Sequence, residues 1–223
     1  MRQEASTVFL AKVFNWMAAG LALTGGAAYL TANTPLARFV LGTPLVFVLL
    51  IAVFGLPLYL QFRIDRLAAS RATGFFLAYS VAMGMLLSSV FLVYTAASIT
   101  ATFFITSGMF GAMAVYGLVT KRDLSGMGSF MFMGLVGIIL ASVVNFFLHS
   151  PALHWTISVI GVFVFVGLTA YDVQRIKQIG EAGIMAQGEA AIRKGAIIGA
   201  LALYLDFVNL FLMLLRFVGV TRD

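Results

Sequence analysis

"ATGFFLAYSVAMGMLLSSVFLVYTAASITATFFITSGMFGAMAVYGLVT", residues 72–120, contains no Asp, Glu, Lys or Arg. As one helix it would reach about 73 Å at ~1.5 Å per residue, more than twice the ~30 Å hydrocarbon core of a bilayer. A tight hairpin near Ala96–Ser98 must therefore divide it. Whether the chain crosses a membrane six times or seven turns on that break.

The rest of the chain decides that a membrane is involved. Of its 223 residues, 62% are hydrophobic and only 10% charged, and mean hydropathy is +1.05. Soluble domains carry about 25% charged residues, so this composition could not cover a water-exposed surface. Seven apolar segments follow, at roughly 13–31, 39–61, 72–95, 98–120, 127–147, 154–173 and 195–219. Short polar breaks separate them, apart from the longer "VQRIKQIGEAGIMAQGEAAIRK" before the last. The expectation is an all-α membrane protein, with residues 1–223 forming a single seven-helix transmembrane domain. Small-residue runs such as "AAGLALTGGAAY" and "GMGSFMFMGLVG" let helices pack closely, which suits a monomeric bundle.

Charge tests the span count. With seven spans, eleven Lys and Arg fall on the side of the N-terminus and three (Arg38, Arg216, Arg222) on the other. The positive-inside rule then puts the N-terminus in the cytoplasm and the C-terminus outside. Merging the third and fourth segments would place basic loops on opposite faces. The net charge of +6 is accounted for by orientation and anionic lipid, so no nucleic acid is expected. "AAYLTANTP" is a poor cleavage site, so the first segment reads as a retained span. There is no cysteine, which removes disulfides, thiolate metal sites and cysteine nucleophiles together.

Few groups within the spans can do chemistry. Asp206, in "LALYLDFVNLF", lies about eleven residues into the last span, roughly 16 Å from its start at 1.5 Å per residue. An ionisable residue at that depth is a functional candidate by default. Asp172, in "GLTAYDVQRIK", falls near the cytoplasmic end of the sixth span. Those two spans are consecutive and antiparallel, so the carboxyl groups can approach each other. Two carboxyls in contact share a proton and titrate as a coupled unit. Such a pair suits a pH sensor, a proton relay, or a site where a hard cation such as Ca²⁺ competes with the proton. Asn209 shares the face of Asp206 and Tyr204 does not. Asn145 reads as a bond across helices, and the eleven methionines as packing. His149 and His154 flank an outer loop with no carboxylate near them, a poor basis for a metal site.

The stretch "SSVFLVYTAASITATFFITSGMFGAMAVYGLVTKRDLSGMGSFMFMGLVGIILASVVNFF" resembles the central signature of the Bax inhibitor-1 family. "TAYDVQRIK" and "LALYLDFVNLFLMLLRFVG" resemble its sixth and seventh spans, and the likeness to bacterial members covers nearly the whole chain. The resemblance implies a bundle with the last helix at its centre, in a bacterial inner membrane. It implies a pH-sensitive Ca²⁺ leak whose sensor is an aspartate pair, matched here by Asp172 and Asp206, which would also meet the ion. It implies an arginine latch near the second span, where "FRIDRLAASR" offers Arg63, Arg66 and Arg71, with Arg66 the first choice and Asn209 a supporting residue. Some bacterial relatives are linked instead to control of a membrane-bound ATP-dependent protease.

Two functions are therefore carried forward: a pH-gated cation channel or transporter, with Ca²⁺ or protons as the moving ions and no resident cofactor, and a non-conducting regulator of a membrane protease or stress response, acting through helix contacts. An enzyme is not expected, because no nucleophile, base and orienting group assemble. Intramembrane aspartyl proteases carry GxGD where this chain reads "LYLD", and "PAL" at Pro151–Leu153 stands before the sixth span rather than late in the fold.

Overall fold

The structure is a computed structural model that describes residues 2–222, with side chains from Glu4 onward; the side chain of Arg2, counted above in the N-terminal charge, lies outside the described residues. Eight α-helices follow in order: α1 (Arg2–Ala32), α2 (Leu36–Leu41), α3 (Leu45–Arg63), α4 (Ala69–Val93), α5 (Ala96–Val119), α6 (Ser125–Leu148), α7 (Pro151–Glu181) and α8 (Glu189–Val218). All but the short α2 are long and apolar enough to cross a membrane, which makes seven spans. No strand longer than an isolated bridge occurs among the described residues.

The break demanded by residues 72–120 lies at Tyr94–Thr95, one or two residues before the expected position. Both residues are extended, with ψ of 153° and 148°. Thr95 caps α5, its Oγ1 accepting from the Ser98 N–H at 3.3 Å. Extended residues at a membrane edge leave backbone groups that lipid cannot satisfy. The C-terminal tail supplies their partners. The Thr95 N–H donates to the Val220 carbonyl (3.1 Å), and the Arg222 N–H to the Val93 carbonyl (2.8 Å). The Arg222 Nε donates to the Tyr94 carbonyl (3.1 Å).

Three boundaries differ from the hydropathy expectation. The segment 39–61 is split at Gly42–Pro44 into α2 and α3, because the residue before proline is pushed out of the helical region. The first helix starts near residue 2 rather than 13. The sixth span runs on to Glu181 instead of stopping near 173, so "VQRIKQIGE" is helix and only residues 182–188 link it to α8. Hydropathy marks where a helix is apolar, not where it ends. A Lys177–Glu181 contact of 3.9 Å, four residues apart, lies on the added polar turns.

The chain folds as two compact units. The first comprises residues 1–94, 177–204 and 222–223, and the second 95–176 and 205–221. In the first, α4 packs on α1 and α3. Small residues set that distance: a methyl group on Gly84 would stand 2.5 Å from the Thr24 carbonyl oxygen. Thr24 Oγ1 bonds the Ser80 carbonyl (2.9 Å) and the Tyr204 hydroxyl (2.6 Å), while Phe76 and Tyr79 meet the Tyr204 ring edge-on. In the second, Ile138 of α6, Val164, Phe165 and Leu168 of α7, and Leu210, Met213 and Leu214 of α8 form one buried cluster.

Helix α8 contributes to both units and is the most enclosed span: 67% of its most apolar stretch is buried, against 6% for α6. The outward faces are apolar, with Phe54 and Phe146 each 72% exposed. In water, contiguous apolar surface of this kind would need covering; in a bilayer it is the lipid contact.

Candidate functional site

Both aspartates belong to the second unit. Asp172 is half-buried on α7, and Asp206 on α8 is only 4% exposed. Their side chains lie within interaction range of each other. Two carboxyl groups at this range can hydrogen-bond only with a proton on one of them, so the arrangement suits a shared proton. The second oxygen of Asp206, Oδ2, is buried without a hydrogen-bond partner among the described residues. Buried polar atoms are rarely left so, and this one is an acceptor position for a proton, water or cation.

The surroundings hold the pair rigidly. Phe207, next to Asp206, meets Phe103 and Phe110 edge-on at 5.6 and 5.5 Å. Thr169, Ala170 and Val173 around Asp172 are fully enclosed. A methyl on Gly128 would collide with the Tyr171 ring, so α6 and α7 lie in close contact beside the pair. Arg175, one turn beyond Asp172 and exposed, lies close enough to interact with it electrostatically. Asp172 thus has a cation and a second carboxyl within interaction range.

Gln174 went unnoticed in the sequence and is structurally decisive. It is 8% exposed and clamps the loop after α5: its Oε1 accepts from the Leu124 N–H (2.9 Å) and its Nε2 donates to the Arg122 carbonyl (2.8 Å). The only hint in sequence is an uncharged amide between Asp172 and Arg175, where a solvated turn would be charged. Gln174→Ala would strand the buried Leu124 N–H, at about 1–3 kcal/mol, and release the part-buried Arg122 carbonyl. A lowered thermal midpoint in detergent, not rescued by Gln174→Glu (which restores the acceptor alone), is the expected result. In the same loop Asp123 accepts from Ser125 at 2.9 Å, and that bond to the Ser125 side chain and backbone holds its carboxyl below the usual carboxylate range.

The other expected residues fall elsewhere. Asn209 donates to the Leu205 carbonyl of its own helix at 2.8 Å, so that amide is turned back along α8. Asn145 does not bond across the spans as expected; its Oδ1 accepts from the Ser150 N–H at 2.9 Å and closes the turn between α6 and α7. Arg63, Arg66 and Arg71 are exposed in the first unit, at the end of α3, in the following 3-10 turn and at the start of α4. Among the described residues, no three His, Asp or Glu side chains gather as a metal-holding group. A cation at the pair would therefore have two carboxyl groups, completed by water or carbonyl oxygen.

Comparison with known proteins agrees with this architecture. The chain is 52% identical to "Inner membrane protein YbhL" of Escherichia coli strain K12 over 216 residues, covering 96% of this chain and 92% of the relative. It is 44% identical to a Borreliella burgdorferi protein, covering 96% and 93% of the two chains. The protein YrjE of Lactococcus lactis is 35% identical, with 98% and 93% covered. Seven apolar spans fit a multi-pass protein of a bacterial inner membrane, the location in the first relative's name. Residues 6–223 match the family described as "Inhibitor of apoptosis-promoting Bax1", and the chain belongs to this Bax inhibitor-1 family.

Proposed function

We propose that the protein is a pH-sensitive cation leak, with Ca²⁺ the favoured ion, gated by the Asp172–Asp206 pair. The observation that carries this reading is the closeness of the two carboxyl groups on neighbouring helices, Asp206 almost fully enclosed with one oxygen left without a partner. While the pair holds its proton it is closed on itself. Losing that proton leaves two like charges in contact, which either part or take up a cation. Ca²⁺ takes about 6–8 oxygen ligands, more than two carboxyls can offer, so it is held weakly enough to move on. Ion and proton compete, and cation occupancy of the pair rises with pH.

Ca²⁺ flux into dye-loaded proteoliposomes across a pH series tests this. Flux from unaltered protein that depends on pH, loses that dependence in Asp206→Asn and falls in Asp172→Asn, is the expected result. Unchanged flux in both variants would sink the proposal. No flux at any pH, with a membrane protease co-purifying stoichiometrically from native membranes, would favour the regulator instead. A single chain completes the pair, so a monomer suffices for the gate.

Orientation belongs to the same proposal, since it decides which compartment's pH the pair senses. With no native cysteine, single-cysteine labelling has no background. In a Gram-negative host, a membrane-impermeant maleimide is expected to label Asn33→Cys in intact cells and Ser70→Cys only after lysis. The reverse pattern would overturn the cytoplasmic N-terminus.

A further inference from the structure

A second polar site lies in the same unit, at the turn between α6 and α7. There a cavity of about 600 Å³ is lined by Asn145, His149, Ser150, His154, Trp155 and Arg216 among others. Among the described residues its lining contains a guanidinium and two imidazoles and no Asp or Glu. The N-terminal pole of the 31-residue α7 opens beside it, capped by Ser150 Oγ, which accepts from the Leu153 N–H at 3.3 Å. The chemistry fits an anion.

The backbone supports the same conclusion. His149 has φ of 50°, the one left-handed non-glycine residue among those described. That conformation caps the C-terminus of α6, the His149 N–H donating to the Asn145 carbonyl at 2.8 Å, and holds the residue at the edge of the cavity it lines. Its Nδ1 lies 3.2 Å from the Phe147 carbonyl oxygen, which leaves the Nε2 edge for a ligand. Arg216 sits in the last turn of α8, and its guanidinium has five N–H donors, enough to serve an anion alongside its other contacts.

The position identifies the kind of anion. Trp155 and Phe217, each about half exposed, lie with ring centroids 5.7 Å apart next to the cavity. Paired aromatics at the ends of spans mark the level of the lipid headgroups. A basic cavity at that level, on the outer side in the orientation proposed above, can hold a lipid phosphate through charge-assisted hydrogen bonds. We infer that this cavity is a phosphate-binding site, made by Arg216, His149 and His154, for an anionic headgroup or free phosphate. It is independent of the aspartate gate.

Native mass spectrometry of delipidated protein in detergent tests the inference. One arm adds phosphatidylglycerol, one phosphatidylcholine and one inorganic phosphate. Retention of phosphatidylglycerol over phosphatidylcholine by about tenfold, the size expected from one charge-assisted hydrogen bond, is the expected result. Inorganic phosphate that competes with the lipid would identify free phosphate as a second source; lipid binding unaffected by it would identify the headgroup alone. Arg216→Ala with His154→Ala is expected to erase the preference. Arg38→Ala, in a separate cavity of the first unit, is expected to keep it. His149→Gly guards against misfolding, since glycine suits φ of 50° better: it should weaken retention while leaving the thermal midpoint unchanged or higher. Equal retention of the two lipids by unaltered protein, or a preference surviving in both the double variant and His149→Gly, would overturn the site.

Discussion

Asparagine in place of Asp206 is expected to lower Ca²⁺ flux about tenfold to a hundredfold and to flatten its pH dependence, the scale of losing one charged hydrogen-bonding group. The physical reason lies in what the amide does to the shared proton. The introduced amide is the same size as the carboxyl it replaces and donates N–H to the Asp172 carboxylate with no proton required. The variant therefore behaves at every pH as the protonated, closed pair. Stability should not fall, because the buried oxygen that lacks a partner is no longer part of a carboxyl forced to hold or lose charge in a dry site. Asp172→Asn differs. It leaves Asp206 as the sole carboxyl, almost fully enclosed and without the Arg175 charge that Asp172 enjoys. Its flux should also fall, but some pH response can survive through Asp206 itself. A structural role alone would produce another pattern: both variants would lose thermal stability together, and flux per folded molecule would stay the same. Thermal midpoints measured beside the flux series separate the two.

How much of this could be read from residue order depends on the range of the interactions involved. The seven spans were legible because hydropathy is local and a core of about 30 Å leaves few ways to divide the chain. The pairing of Asp172 with Asp206 was legible as a possibility, since consecutive spans must be antiparallel neighbours. That the two carboxyls come within reach of each other depends on how α7 packs against α8, which no local pattern of hydropathy reports. Asn145 was misassigned for a related reason: a buried-looking amide near a helix end can cap the next turn as readily as cross to another span. The closure of Tyr94–Thr95 by Val220 and Arg222, and the clamp of Gln174 on residues 122–124, join positions far apart in sequence. No periodicity or composition signals either contact. The arginines of "FRIDRLAASR" are latch candidates by their charge in a basic loop, with the resemblance favouring Arg66, and flux measurements on Arg66→Ala beside the aspartate variants would assess the latch.

Gly117→Ala is expected to cause the largest loss of stability of any single methyl in the second unit. A Cβ at Gly117 on α5 would overlap the backbone carbonyl oxygen of Ala170 on α7. A flexible side chain could swing aside, as Met131 can before Gly167 and Met213 before Gly161. A carbonyl locked in a helix cannot. Relief requires α5 and α7 to move apart along a contact where close backbone approach is the main source of adhesion, lipid providing no hydrophobic drive between helices. Overpacking of this kind costs about 1–3 kcal/mol, and Gly117→Val should cost more because its branched side chain has no rotamer clear of the oxygen. Gly111→Ala, on the same helix with nothing within 4 Å, supplies the control and should be tolerated. Equal thermal midpoints for the Gly111 and Gly117 variants would mean that the helices do not meet there. Ala170 is two residues before Asp172, so the displacement has a second consequence. Pushing α7 outward moves Asp172 relative to Asp206 without touching either carboxyl, and Gly117→Ala should therefore alter the pH dependence of flux in the protein that remains folded. An effect on stability with an unchanged pH profile would show that the pair tolerates such movement, and that its spacing is set by α8 rather than by the packing of α5 on α7.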